Sequence, residues 1–446
     1  MCKVFYYKKY SFDAKTGDLS LNYQIITEQK EILEFTEHIY FPNTPLDLTP
    51  EKELVLNDIF FLTHIAFGIS YYKTVCPEKI IIETGNLSKE QAAFFEKFYV
   101  NGLGEFAVKN QLNLQGKIKF PFVDKKQSVH SLNLKSRFLV PVGGGKDSCV
   151  SMELLKKINA DCCAISVGIP RPIRECIEMS GLSSLTLTRK IDPYLITLNQ
   201  SGTVKNGHVP ITGMLAFLLW ASAVIYDYRF VALSCEKSAN SGNLMQGDLS
   251  INHQYSKSFE FEYDFYNLTK GVLPDFRYFS LLRPLSELSI AKLFAQNCSD
   301  YFSIFTSCNK AFKLDESKRL NRWCGCCDKC RFVFLILAPF MDKETLIQAL
   351  GNNPLNDETQ INGYCELLGL SGHKPFECVG EIAESQYAFQ LLSEHPSWKT
   401  DYIIQTLKTD VMKNARLDKN LFTSSTEHLI PELIQDEIIR LFNRNG

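Results

Sequence analysis

Over about the first 125 residues, apolar positions come in short stretches such as "LSLNYQII" and "EKIIIE", which read as strands. Between them "LNDIFFLTHIAFGISYYKTV" has the spacing of a buried helix. The polar stretch "VDKKQSVHSLNLKS", Val123 to Ser136, reads as a linker. Beyond it the pattern changes to alternating units. "RFLVPV" is a short buried strand, Asp147 to Ile158 a helix with Val150, Leu154 and Ile158 on one face, and "CCAISV" a second strand. The longest apolar run, Ile211 to Tyr226, is shorter than the roughly 20 residues a membrane span needs, so it reads as a buried helix leading into the strand "FVALS". Strand–helix–strand at this spacing predicts α/β architecture with a doubly wound parallel sheet. From about Tyr301 the chain contains a cysteine cluster, followed by mostly helical sequence with polar faces.

Composition narrows the classes. The 446 residues carry 48 basic and 50 acidic side chains, for a net charge of -2. That balance argues against an extended nucleic-acid surface, although a local basic groove would survive it. The opening "MCKVFYYKKYSF" lacks the apolar segment of a signal peptide. Fifteen cysteines in a chain of this size, without an export signal, predict reduced thiols in the cytoplasm and a metal role for any tight cluster.

Two motifs carry chemistry. "VPVGGGKDSCV" follows a strand and opens a helix, the position at which a parallel sheet binds phosphate. Gly143, Gly144 and Gly145 let backbone N–H groups approach an anion, Lys146 adds positive charge and Ser148 a hydroxyl. The Walker pattern fails, because Val140 stands where it needs glycine and Asp147 where it needs Ser or Thr. Rossmann spacing fails at Ser148. The second motif is Cys324-x-x-Cys327-x-x-Cys330 with Cys308 upstream, four thiolates spaced to close on one structural Zn²⁺. Cys326 is a fifth cysteine that can stand in for a neighbour.

"GGGKDS" resembles the PP-loop of the ATP-pyrophosphatase superfamily, with Gly143 where the usual form has serine. The resemblance implies ATP cleavage between the α- and β-phosphates, with Lys146 and the loop amides on pyrophosphate and Asp147 supporting Mg²⁺. "SCEKSANSGN" resembles the superfamily's second nucleotide segment, which implies contacts from Glu236, Ser238, Asn240 and Asn243. His208, in "KNGHVPITG", stands where it can reach the nucleotide. A PP-loop with a downstream Cys₄ site also occurs in 7-cyano-7-deazaguanine synthase, a much shorter enzyme.

"FGISYYKTVCP", "GLGEFAVKNQL", "INHQYSKSFEFE", "WCGCCDKCRFVFLILAPF" and "GHKPFECVGE" together resemble the UDP-N-acetylmuramoyl-L-alanyl-L-glutamate epimerase family, roughly from Phe67 to Glu384. The resemblance implies ATP-driven inversion of the terminal glutamate of a peptidoglycan precursor, the UDP-MurNAc dipeptide, through an acyl-adenylate. It points to no nucleic acid, membrane or obligate protein partner. Acid–base candidates are His253, Glu377 and Cys378; Lys73, Lys374 and Glu381 are candidates to hold substrate. A generic polar loop also accounts for these positions. The expected organisation is an N-terminal α+β domain for substrate recognition over 1–128, a PP-loop domain over 129–300, and a zinc-containing helical region over 301–446. A PP-loop enzyme acting on a nucleobase or tRNA, and a zinc-stabilised nucleotide-binding protein without turnover, are the alternatives.

Overall fold

A computed structural model of the chain describes residues 3–124, 128–246, 249–313, 316–372, 374–414 and 419–444. The strands are β1 (Val4–Asp13), β2 (Asp18–Ile26), β3 (Ile32–Tyr40), β4 (Lys79–Ile82), β5 (Phe138–Pro141), β6 (Cys162–Val167), β7 (Ser183–Lys190), β8 (Phe230–Leu233), β9 (Leu244–Gln246), β10 (Leu249–Ile251) and β11 (Arg277–Ser280). Nine of them form one sheet in the order β11-β8-β5-β6-β7-β3-β2-β1-β4, and β9 pairs with β10 in a separate ribbon. The five stretches read as strands from sequence are β2, β4, β5, β6 and β8. Part of the expected linker, 125–127, lies outside the described residues, and the rest of it contains no helix or strand.

The sheet is mixed, which the expectation of a parallel sheet did not include. β5 pairs with β8 and β1 with β4 in parallel, whereas β1–β2, β2–β3 and β3–β7 are antiparallel. The reason is local. Gly17, at φ +71°, turns the chain between β1 and β2, and a similarly short connection joins β2 to β3. Connections this short can only make hairpins, because a parallel crossover needs a dozen residues or more.

Around β5 the winding is that of an open α/β sheet. From β5 the chain passes through the helix Lys146–Lys157 to β6, then through the helix Arg171–Ser180 to β7, all on one side. The helix Ile211–Ile225, at the expected apolar run, leads to β8 on the other side of β5. The strand order therefore reverses between β5 and β8, and the loops leaving their carboxyl ends bound the crevice where such sheets take ligands.

Compactness divides the chain into two units. The first comprises Met1–Leu139, Leu185–Val231 and Gln246–Tyr278. Its core is aromatic: Phe5, Tyr7, Tyr23, Tyr71, Tyr72 and Tyr99 are all buried. The helix Pro50–Phe67 starts at Thr49, whose hydroxyl accepts from the Lys52 amide, and packs on the helix Ile211–Ile225 and on β1. Pro50–Tyr72 is apolar and long enough to cross a bilayer, but 78% of its apolar window is buried by the fold, as befits a core helix. The second unit comprises Val140–Ser184, Ala232–Met245 and Phe279–Gly446. In it the helix Glu287–Asn297 packs on Lys146–Lys157 and on Asp328–Leu337, which in turn packs on Ile382–Glu394.

At the β3–β7 pairing in the first unit, Glu37 is fully buried and accepts from Arg189 Nε and from the Tyr71 hydroxyl at 2.8 Å. Removing one partner of such a pair leaves the other charge buried and uncompensated. Glu37→Ala should cost about 3–5 kcal/mol in urea unfolding. Adding Arg189→Met should recover part of that loss, since the orphaned guanidinium goes with it.

Candidate functional site

Gly143–Gly145 connects β5 to the helix Lys146–Lys157. Gly144 adopts φ +79°, and a Cβ on it would stand 3.1 Å from the Pro172 carbonyl carbon. A Cβ on Gly145 would stand 3.2 Å from Ser307 Cβ, while Gly143 faces open space within 4 Å. The turn is thus closed by neighbouring chain on one side and open on the other. Gly145 caps the helix without a side-chain hydrogen bond, so its first-turn amides take no acceptor from the cap residue. Ser148 Oγ donates to the Gly145 carbonyl at 3.0 Å, and the Thr306 amide donates to that of Gly144 at 2.8 Å.

Lys146 is not the mobile cation the motif suggests. It is 2% exposed, and its Nζ donates to the carboxylates of Asp147 and Glu287. Burial works against its charge, but the two carboxylates outweigh burial and hold its pKa above the ordinary lysine value. Glu287 opens the helix that packs on the loop helix, and its own amide donates to Glu384 Oε1 at 2.7 Å. Glu384 Oε2 accepts from the Glu381 amide at 2.6 Å. Burial, and then the neighbouring Glu287, push the Glu384 carboxyl up to about 8.

The loop after β8 meets the segment around 374–381. Ser234 Oγ donates to Ser151 Oγ at 2.8 Å, Ser241 Oγ to Glu381 Oε1 at 2.5 Å, and Asn243 Nδ2 to the Pro375 carbonyl at 2.8 Å. Glu236 is buried, and its carbonyl accepts from Arg283 at 2.6 Å. Ser238 is buried with no hydrogen-bond partner for its hydroxyl among the described residues, and it lines a small cavity with Lys237, Ser286, Glu381 and Glu384. Asn240 is exposed. Burial lowers the pKa of Lys374 in spite of the surrounding Glu381, Glu384, Glu236 and Glu287. Glu377 is half-buried, with both carboxylate oxygens accepting from Asn309 Nδ2, and the Cys378 carbonyl accepts from Lys329. The open face at Gly143, the uncapped amides and the unpaired Ser238 hydroxyl suit a polyphosphate. Asp147, whose side chain is 27% exposed, offers the hard oxygen donor that Mg²⁺ takes.

In the same unit Cys308, Cys324, Cys327 and Cys330 bring their sulfurs within 4.8 Å of one another. The separations are 3.9 Å for Cys308–Cys327, 3.6 Å for Cys324–Cys330 and 3.4 Å for Cys327–Cys330. Thiolates at about 2.3 Å from a tetrahedral Zn²⁺ stand about 3.8 Å apart, so this group could hold such an ion. Cys327 caps the helix Asp328–Leu337 and Cys330 lies in its first turn, which fixes their shared direction. Cys326 is exposed and outside the group, with Lys310 beside its sulfur.

The first unit contains a second cluster. Glu105 lies in the helix Gly104–Lys109, His208 precedes the helix Ile211–Ile225, and His253 follows β10. Their side-chain nitrogen and oxygen atoms fall within 4.8 Å of one another. His253 Nδ1 is hydrogen-bonded to Glu105 Oε2, His208 Nδ1 is 3.6 Å from the same oxygen, and Lys109 donates to Glu105 Oε1. Burial favours the neutral carboxyl, but the hydrogen bonds from His253 and Lys109 bring Glu105 down to about 2. Burial, then the adjacent His253, lower His208 to about 4 against the pull of Glu105. Lys73, expected to contact substrate, is buried, with Nζ donating to Asn206 Oδ1 at 3.0 Å and to the Gly207 carbonyl at 2.6 Å. It therefore anchors the loop that carries His208, and burial lowers its pKa to about 8. Glu105 escaped the sequence reading as a site residue although its motif was singled out. A glutamate in a helix's first turn has a capping explanation that needs no partner, and nothing local pairs it with residues 103 and 148 positions away.

The site thus combines a glycine turn at the strand-order reversal of an α/β sheet with four cysteines that could hold a metal ion. Residues 1–281 match the MurL N-terminal domain and residues 304–422 the MurL C-terminal domain, and the chain belongs to the MurL family. It is 37% identical over 443 residues to the UDP-N-acetyl-alpha-D-muramoyl-L-alanyl-L-glutamate epimerase of Xanthomonas oryzae pv. oryzae, covering 98% of this chain and 96% of that protein. It is 39% identical over 440 residues to the epimerase of the same name from a Micromonospora species, covering 96% of each, and 39% identical over 419 residues to that of Salinispora tropica, covering 92% of this chain and 90% of that one.

Cys326 Sγ is 3.8 Å from Cys324 Sγ but does not come close to all four sulfurs of the group. Cys326→Ser should keep one metal equivalent per chain in elemental analysis of the purified protein, whereas Cys327→Ser should lose it and unfold at a lower temperature. Equal loss from both variants would place Cys326 in the ligand set.

Proposed function

We propose that this chain is an ATP-dependent epimerase that converts the terminal L-glutamate of UDP-MurNAc-L-Ala-L-Glu to D-glutamate in peptidoglycan precursor synthesis, in the cytoplasm. The observation that carries the reading is the nearly full-length likeness to proteins named for that epimerisation. The glycine loop at the strand-order reversal supports the ATP part of it.

The chemistry explains why ATP is needed. Removing the α-proton of a carboxylate puts a second negative charge beside the first. Transfer of the adenylyl group to the glutamate carboxylate, with pyrophosphate leaving, removes that charge and makes the carbonyl an electron sink. The proton then comes off Cα, a proton returns on the opposite face, and water cleaves the mixed anhydride to the carboxylate and AMP. Mg²⁺, when bound, screens the phosphate charges, and Asp147 is the residue that would hold it. The amides at Gly143–Gly145 receive the phosphates, and Ser238, Glu236, Asn240, Asn243 and Lys374 border the same loops. Lys146 acts from beneath, holding Asp147 and Glu287 in place. The four cysteines would hold a structural ion, and Cys308 follows Thr306 and Ser307, which pack on the glycine loop.

The test uses purified, metal-replete protein with Mg·ATP and UDP-MurNAc-L-Ala-L-Glu in D₂O, following AMP, glutamate chirality and α-deuterium. Substrate-dependent AMP with deuterated D-glutamate is the expected result. AMP without inversion directs attention to another acceptor, and no AMP at all removes the catalytic reading. Asp147→Asn should lower substrate-dependent AMP release about 100-fold or more, the scale of losing one aligned electrostatic group, while keeping its thiolate-bound metal.

A further inference from the structure

We infer that Glu105, His208 and His253 form a binding site for a divalent cation of the Zn²⁺ class, distinct from the four-cysteine group and from any Mg²⁺ that accompanies ATP. All three residues belong to the first unit, so the inference needs neither the glycine loop nor the proposed epimerase reading.

Three segments far apart in sequence carry the donors, and packing holds them together. Glu105 comes from the helix Gly104–Lys109, His208 from the loop before Ile211–Ile225, and His253 from the turn after β10. The His208 loop is seated on the segment that carries Glu105. A Cβ on Gly207 would stand 3.1 Å from Phe106 Cδ2, and one on Gly102 would stand 2.5 Å from Pro210 Cγ. Both approaches use the room that glycine leaves, and they bracket His208. Lys73 ties the same loop down through Asn206 and Gly207, and Asn110 Nδ2 donates to the Asn206 carbonyl at 3.2 Å. Ile251 is buried beside Gly104, 3.4 Å from where a Cβ would stand. Asn252 Oδ1 accepts from the Gln254 amide at 2.8 Å, which shapes the turn that presents His253.

The spacing within the cluster fits a shared ion better than a hydrogen-bonded pair alone. His253 Nδ1 is hydrogen-bonded to Glu105 Oε2. His208 Nδ1 lies 3.6 Å from the same oxygen, too far for a hydrogen bond, and His208 makes none with any described residue. Donors about 2.0–2.2 Å from one tetrahedral Zn²⁺ stand about 3.4 Å apart, so the His208–Glu105 separation already suits an ion. All three donors lie within 4.8 Å of one another, and small side-chain rotations close the set. Lys109 takes Glu105 Oε1, which fixes the carboxylate with Oε2 toward the histidines. Two imidazoles and one carboxylate suit Zn²⁺, Fe²⁺ or Co²⁺, whereas Mg²⁺ and Ca²⁺ take oxygen donors. Three protein ligands leave a position for water or another oxygen donor. The side chains of His208 and His253 keep 22% and 14% of their surface exposed, against 5% for Glu105, so an ion reaches the cluster from the histidine side.

The experiment titrates Co²⁺ into the full-length protein after elemental analysis has counted the zinc it carries. It reads the visible ligand-field bands, the near-ultraviolet thiolate charge-transfer band and the melting temperature. Wild-type protein should bind one equivalent that adds ligand-field absorption without thiolate charge transfer. That equivalent should raise the melting temperature, since an ion that binds only the folded state stabilises it. His208→Gln, His253→Gln and Glu105→Gln should each weaken this binding about 100-fold or more, because even partners outside a ligand set change metal affinity about 10–100-fold. All three should keep the wild-type zinc content. His208 makes no hydrogen bond for the fold to lose, so His208→Gln should melt with wild type without Co²⁺ and gain nothing when it is added. Cobalt that binds only with thiolate charge transfer overturns the site. So does ligand-field absorption that persists in His208→Gln and Glu105→Gln, which marks an adventitious ion only. A His208→Gln variant that loses zinc, or melts well below wild type without Co²⁺, also overturns it by giving His208 to the fold. None of these readings uses AMP release or inversion, so failure of the epimerase reading leaves them unchanged.

Discussion

A buried lysine between two carboxylates is the interaction on which the unit with the glycine loop depends. Lys146 is nearly inaccessible, and its charge is held by Asp147 from the same helix and Glu287 from the next. Glu287, which is fully buried, would face a desolvation cost of several kcal/mol if left unpaired. The lysine thus locks the helix after the glycine loop to the helix Glu287–Asn297. Through the Glu287 amide, which donates to Glu384, it also fixes the start of Ile382–Glu394. The lysine and aspartate that sit side by side after three glycines are therefore one device. The cation sets the direction of a carboxylate beside the glycine loop, and under the proposed reading the loop amides meet the phosphates.

Legibility in the sequence followed the range of the interaction. The thiolates at 324, 327 and 330 are set by one helix start, so their spacing alone announced them, and Cys308 followed by count. The strands β2, β4, β5, β6 and β8 are short apolar runs with turn signals at their ends, and each stood out for that reason. β1 and β3 did not. Their outward positions carry lysine, glutamate and threonine mixed with aromatics, and only the sheet shows which side is inside. The antiparallel pairing of β3 with β7 was also invisible, since it joins residues about 150 positions apart.

The same rule applied at the sites. His208 was read from its position before a long helix, which suggested a nucleotide contact, and His253 from an unrelated motif. Their shared partner is Glu105, a residue whose neighbourhood in the chain offers no hint of either histidine. Lys73 was a candidate to hold substrate, and its Nζ donates to Asn206 and Gly207 in the loop that carries His208. In each case the residue types were legible and the pairing was not, because pairing is decided by the packing of the aromatic core between them.

The proposed reaction makes two opposite demands. Activation of a carboxylate handles several negative charges at once, which suits backbone amides and a hard oxygen donor for Mg²⁺. Proton abstraction from carbon suits the opposite, a base of moderate strength in a partly dry setting with few mobile charges. An imidazole cannot deprotonate carbon beside an ionised carboxylate at a useful rate. Next to an acyl-adenylate the demand on it falls, because the carbonyl accepts the electron pair. Under this scheme ATP lowers the acidity threshold of the substrate to the point where ordinary acid–base chemistry can invert it.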